Sequence, residues 1–159
     1  MNLANTPKSE MAPTKQDMIE GLKDQMIQMP QAPAMATNHF FTGGMYCRRI
    51  EIPKDRVIVS KVHKTEHFFI GCSGELKVSG QGQDFILRAG DVVASPIGTR
   101  RAVYSLTDVV VLTVHRTDSV SIDNLESELM EDGYSLYDVN NSPKPGVEVC
   151  SLEDTKCLG

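Results

Sequence analysis

An all-β barrel of jelly-roll type, flanked by one helix on each side, is the fold class this sequence predicts, and three observations predict it. Between Phe40 and Thr117, short segments rich in β-branched and aromatic residues alternate with turn signals. Apolar residues at helical spacing precede that region, and a second, shorter helical pattern follows it. The 159 residues are enough for one domain with a sizeable core.

Eight strands are expected in the central region: Gly44 to Glu51, Arg56 to Lys61, Glu66 to Ile70, Glu75 to Ser79, Asp84 to Arg88, Asp91 to Ala94, Arg101 to Ser105 and Val109 to Arg116. Ser79-Gly-Gln-Gly82 reads as a hairpin connection, and Ala89-Gly90-Asp91 and Pro96-Ile-Gly98 as further turns. Before them, Thr14 is placed to cap a helix, with Asp17 near its positive end. Met18, Ile19, Leu22, Met26, Ile27 and Met29 make its apolar stripe, and Pro30 and Pro33 stop it. That stripe suits packing on the barrel or on a second subunit, with a partner-binding helix as the alternative. Ser121 to Met130 reads as the second helix, apolar at Ile122, Leu125, Leu129 and Met130, ended by Asp132-Gly133. The expected organisation is a flexible tail over 1–13, helix and linker over 14–38, barrel over 39–117, C-terminal helix over 118–133 and extended tail over 134–159.

A net charge of -5 argues against general nucleic-acid binding, because no domain-wide basic surface exists. It leaves room for a small anion held in one basic pocket. No apolar run approaches the roughly 18–20 residues that cross a membrane. Cys47, Cys72, Cys150 and Cys157 show no Cys-x-x-Cys spacing, and the first residues lack a secretory signal pattern. Reduced thiols in a cytoplasm are the expectation.

The most informative stretch runs Lys61-Val-His63-Lys-Thr-Glu66-His67 to Gly74, then Gly90 to Pro96-Ile-Gly98-Thr-Arg100-Arg101. It resembles the paired motifs of the cupin superfamily. The first of these runs His-x-His, three or four residues, Glu, six residues, Gly; the second runs Gly, five residues, Pro-x-Gly, two residues, His. Counting from the glycines, the four ligand positions of that pattern fall on Lys61, His63, His67 and Arg101. The resemblance implies a metal barrel, but this residue set departs from it. Two permanent cations beside two imidazoles repel a divalent ion and suit phosphate or carboxylate instead. The expectation is therefore an anion pocket without cofactor.

Strand alternation turns Lys61, His63, His67 and Phe69 one way, and Lys64 and Glu66 the other. His115 ends the last strand and His39 precedes the first, so all four histidines of the chain can meet at the barrel mouth. Only one of Arg100 and Arg101 can point inward. The register favours Arg101, leaving Arg100 as a solvated charge or a surface partner of Asp108. Tyr104 joins the ligand-binding candidates if a bulge re-aims its strand, and Glu66 if it bends inward to fix an imidazole tautomer.

His63, His67 and His115 are the catalytic candidates. Two imidazoles can act as general base and general acid, while Lys61 and Arg101 stabilise charge on phosphate oxygens. This is equipment for metal-independent cleavage of a ribose phosphodiester. Segments from about residue 29 to 131, including His39-Phe-Phe-Thr-Gly-Gly-Met-Tyr46 and Thr113-Val-His115-Arg-Thr117, also resemble a group of small tailed-phage cupin-like proteins. That likeness implies a phage source and a place in the cytoplasm of an infected bacterial cell. Joined to the histidine-rich anion pocket, it leads to the expectation of a nucleotide ligand, such as a host signal used in antiviral defence. Three alternatives stand beside it. The protein could sequester such a nucleotide as a sponge. It could be a metal-dependent enzyme of sugar-isomerase or dioxygenase type, holding a divalent transition metal on His63, His67 and His115 or His39. Or it could be a virion or assembly component. A homodimer is the expected assembly.

Overall fold

The computed structural model describes residues 11–131 and, as backbone, the strand at 147–151. Helix α1 (Lys15–Ile27) comes first, followed by β1 (Thr37–Thr42), β2 (Met45–Ile52), β3 (Val57–Val59), β4 (His67–Ser73), β5 (Glu75–Ser79), β6 (Phe85–Arg88), β7 (Val92–Ser95), β8 (Ala102–Ser105) and β9 (Val109–Arg116). A short helix α2 (Leu125–Leu129) and strand β10 (Val147–Ser151) follow. The strands form a six-stranded sheet ordered β10-β1-β2-β9-β4-β7 and a four-stranded sheet ordered β3-β8-β5-β6. Every pairing is antiparallel except β1 with β10. This is the jelly-roll arrangement, with the apolar core between the two sheets.

All eight expected strands form, within one to three residues of their expected ends. Strand β1 is not among the expected strands, although residues 39–42 fall in the expected barrel, and its hairpin with β2 turns on Gly43-Gly44, both at positive φ. The signal was present: two aromatic residues followed by a Gly-Gly pair mark a hairpin. The tail expected over 134–159 lies outside the described residues except at β10, which pairs with β1.

The second helix is shorter than expected. Residues 121–124 form turns, Asn124 gives the helix no side-chain cap, and only Leu125–Leu129 is helical. Ile122, Leu125, Leu129 and Met130 are buried around Tyr46, so packing rather than helix length anchors this segment. Helix α1 begins as expected, with Thr14 and Asp17 in a reciprocal capping box. Ile19 is buried while Met18, Ile27 and Met29 stay exposed, so only part of the stripe packs on the barrel.

The inward face of β9 fixes where chemistry can occur. Val109, Val111, Thr113 and His115 are buried in alternation, so the core passes from apolar to polar along one strand. Cross-strand register spreads this gradient over the sheet. Tyr46, His115, His67 and Ser95 form one row, and His39, Arg48, Thr113 and Phe69 the next. The row after that is Ile50, Val111 and Gly71.

Candidate metal and anion site

His67 starts β4 and His115 nearly ends β9, directly opposite one another in the ladder. His63 lies in the connection before β4 and is clamped from two sides. Its amide donates to the Thr99 carbonyl at 3.1 Å, and the Gly98 amide donates to the His63 carbonyl at 2.8 Å. On the other side it forms an isolated bridge with Met130, while Lys64 N donates to the Leu129 carbonyl and Glu131 N to that of Val62. The turn of the second motif and the end of α2 thus set the ring of the first motif.

The three rings stack, with centroids 4.2 Å apart for His63–His67, 4.6 Å for His67–His115 and 5.6 Å for His63–His115. One nitrogen from each lies within 4.8 Å of the other two. Their outer nitrogens are already committed. His63 Nδ1–H donates to the Thr99 carbonyl and His67 Nδ1–H to the Thr65 carbonyl, each at 3.3 Å. A carbonyl only accepts, so both rings carry their proton on Nδ1 and present a lone pair on Nε2. His115 Nδ1 pairs with the Thr65 hydroxyl at 3.3 Å. The Nε2 atoms of His63 and His115 are buried with no hydrogen-bond partner among the described residues.

Burial is the main cause of a large downward shift in all three. His63 falls to about 3, assisted by His67. His67 falls to about 4, with its bond to Thr65 opposing. His115 falls to about 2, assisted by its two histidine neighbours. Arg48 pushes each of them the same way. At neutral pH the cluster is three uncharged imidazoles.

A cavity of about 530 Å³ opens beside them, with His63 and His67 on its wall. Lys23, Arg48, Lys61, Arg100 and Arg101 also line it, and no carboxylate does among the described residues. Arg101 points inward as expected. Its Nη2 donates to Ser95 Oγ at 2.8 Å, and its guanidinium lies over Phe69, 5.4 Å from the ring centre. Lys61 is half-buried on the wall.

Three ligand-binding candidates, Tyr104, Glu66 and His39, are not among the cavity-lining residues, and Arg100 is not the surface charge expected. Arg100 is 3% exposed and pairs with Glu20 of α1, not with Asp108, because the helix covers it. Tyr104 faces away, its hydroxyl donating to Asp55 at 2.8 Å, since β8 carries no bulge to re-aim it. Glu66 is exposed, as strand alternation alone would place it. His39 is fully buried behind Tyr46, with its Nδ1 2.7 Å from that hydroxyl, and is not among the cavity-lining residues.

Arg48 is the residue the sequence reading missed. It stands opposite Thr113 in the ladder, and its Nε is buried without a partner among the described residues. The signal was the pairing of β2 with β9: once Tyr46 faces His115, alternation turns Arg48, Ile50 and Ile52 inward.

The family model for the cupin domain matches residues 48–115. No curated protein sequence matches the chain. Among solved structures, a conserved Streptococcus pyogenes protein of unknown function is similar over 58% of this chain and 82% of its own, at 14% identity and a TM-score of 0.45. A cupin-2 domain containing protein from Shewanella frigidimarina is similar over 60% and 91%, at 14% identity and 0.41. The DMSP lyase DddQ from Ruegeria pomeroyi is similar over 55% and 49%, at 19% identity and 0.48. The two facing sheets, the motif glycines with Pro96 between them, and the domain model matched over residues 48–115 support a cupin superfamily assignment for the barrel.

Proposed function

We propose that this protein is a metal-dependent cupin that binds a small organic anion and acts on it. One observation carries the proposal: three neutral imidazoles converge, two of them tied by Nδ1–H to backbone carbonyls, and the Nε2 atoms of His63 and His115 are buried without a partner among the described residues. A carbonyl behind the ring is how a protein orients a metal-bound histidine. The residue set fits a divalent transition ion, to which imidazole is well suited. His63, His67 and His115 would hold it, and it would supply Lewis acidity toward an oxygen of the bound molecule.

The rest of the work falls to the protein. Three neutral ligands leave the ion's charge uncompensated, so the site needs an anion from outside. Arg101, anchored by Ser95, and Arg48 on the neighbouring row supply fixed positive charge on the cavity wall. Low local dielectric strengthens both attractions. Helix α1 contributes Lys23 and Met26 to the same wall.

Metal-independent cleavage of a nucleotide phosphodiester shares this cationic wall, as does sequestration of the intact nucleotide. Cleavage asks in addition for a protonated imidazole as general acid. Burial holds His67 at about 4, leaving on the order of one molecule in a thousand charged at neutral pH. The ion-holding reading is therefore the stronger.

Elemental analysis of untagged protein, purified without chelator, tests it. One transition-metal ion per chain is expected, lost in His63→Ala and His115→Ala variants that keep the wild-type circular dichroism. Wild-type protein that takes up no ion from a panel of manganese, iron, nickel and zinc would overturn the proposal.

A further inference from the structure

The cavity is layered. Along β2 the inward residues are Tyr46, Arg48, Ile50 and Ile52, and along β9 they are His115, Thr113, Val111 and Val109. An imidazole layer is thus followed by a cationic layer and then by an apolar one. The facing sheet continues the apolar layer with Ile58, Leu76 and Val103 on the cavity wall. Thr113 belongs to the Arg48 row, and no inward-facing residue beyond it on β2 or β9 can hydrogen-bond through a side chain, although Thr37 opposite Ile50, with Gln31 and Ser60, adds polar atoms elsewhere on the wall.

We infer that the molecule taken here is a small carboxylate with an unbranched or lightly branched hydrocarbon body. Its head sits between Arg48 and Arg101, and its body lies among Ile50, Ile52, Ile58, Leu76, Val103 and Val111. This inference rests on the anion-binding part of the proposed function and extends it to a substrate class. The volume of about 530 Å³ lies within the small-molecule range of about 300–1,000 Å³. Planar guanidinium groups match a carboxylate in two parallel bonds. Arg48 Nε, buried without a partner among the described residues, is a donor that such a head would satisfy. A nucleotide fits less well. Its base and ribose would bring many polar atoms against the apolar layer, where each unpaired one is costly.

The test is calorimetric titration of the full chain, both metal-stripped and zinc-loaded, with octanoate, 1-octanol, inorganic phosphate and adenosine 5'-monophosphate. Octanoate should bind both forms, at least tenfold more tightly than octanol or the nucleotide. Arg48→Met, which keeps the bulk of the side chain, should remove that preference and leave octanol binding unchanged. Arg48→Lys should retain part of it, and melting curves on both variants separate lost binding from lost fold. Equal binding of octanol and octanoate by wild type, or tighter binding of the nucleotide, overturns the inference. So does an unchanged preference in a folded Arg48→Met. Zinc content measured on the same samples keeps the two ideas apart. Protein that takes no zinc but prefers octanoate sinks the metal reading alone, while protein that takes zinc but lacks the preference sinks the substrate class alone.

Discussion

Gly98 and His63 are locked together: the Gly98 amide donates to the His63 carbonyl at 2.8 Å, and Gly98 makes the turn at φ +82°. Pro96 and Thr99 close the same turn, with Thr99 Oγ1 donating to the Pro96 carbonyl at 2.5 Å. The two motifs are thirty-odd residues apart in sequence yet form one device, in which the second holds the imidazole of the first.

Gly98→Ala should therefore weaken the site as well as the fold. Nothing lies within 4 Å of the added methyl group, so the cost is conformational, about 1–2 kcal/mol for an L-residue held left-handed. If the turn relaxes, His63 loses its carbonyl partner. Urea unfolding should show the loss of stability, and metal titration a fall in affinity of about tenfold or more, the range for losing an orienting partner. Full affinity in a destabilised variant would separate the turn from the ring.

Buried histidines make stability fall with acidity. His39 lies outside the metal set, and burial, helped by Arg48, lowers it from 6.5 to about 4. Below pH 6.5 the unfolded chain binds a proton there that the folded chain refuses, so stability present above 6.5 is lost as pH falls toward 4. The shift corresponds to about 3 kcal/mol at most. His39→Gln should reduce the pH dependence of denaturation midpoints between pH 7 and 4.5. An unchanged slope would show that His39 takes up its proton as readily in the folded protein as in the unfolded chain.

Most of the site was legible because motif spacing is a local property. Lys61, His63, His67 and Arg101 follow from counting to glycines, and His115 from alternation along one strand. What escaped depended on contacts across the fold. Arg48 and Arg49 are adjacent on β2, and only the pairing of Tyr46 with His115 decides which turns inward. Arg100 meets Glu20 across 80 residues of sequence, which no local pattern reveals. The metal question also turned on tertiary structure. Cations at two ligand positions argued against an ion, with His63, His67 and His115 as the alternative set for one. The fold brings those three rings together and gives two of them backbone carbonyl partners.

Glu20 ties α1 to the barrel through Arg100, whose side chain is 4% exposed while that of Glu20 is 40% exposed. Removing the carboxylate leaves a buried guanidinium short of a counter-charge, which is strongly destabilising in a dry site and less so at a half-exposed one. Glu20→Gln should cost about 1–2 kcal/mol after that discount. Hydrogen exchange over 15–27 should speed up before the sheets respond, because the helix loses one of its polar ties to the barrel while keeping that of Lys15 to Asp84 at 2.8 Å. Unaltered exchange in that segment would mean that Ile19 packing alone holds the helix.

Metal and anion should help each other. Three neutral imidazoles add no negative charge, and Arg48 lowers the pKa of every one of them, so its field also opposes a cation. An anion on Arg48 and Arg101 cancels that field, and the bound ion in turn attracts the anion. By linkage the two effects are equal. Saturating carboxylate should raise metal affinity by about 5–150-fold, and metal should raise carboxylate affinity by the same factor. Arg101→Met should tighten metal binding measured without anion, because it removes repulsion, while abolishing most of the coupling. If that substitution weakens metal binding in anion-free buffer, Arg101 orients the imidazoles through Ser95 and β7 rather than opposing the ion.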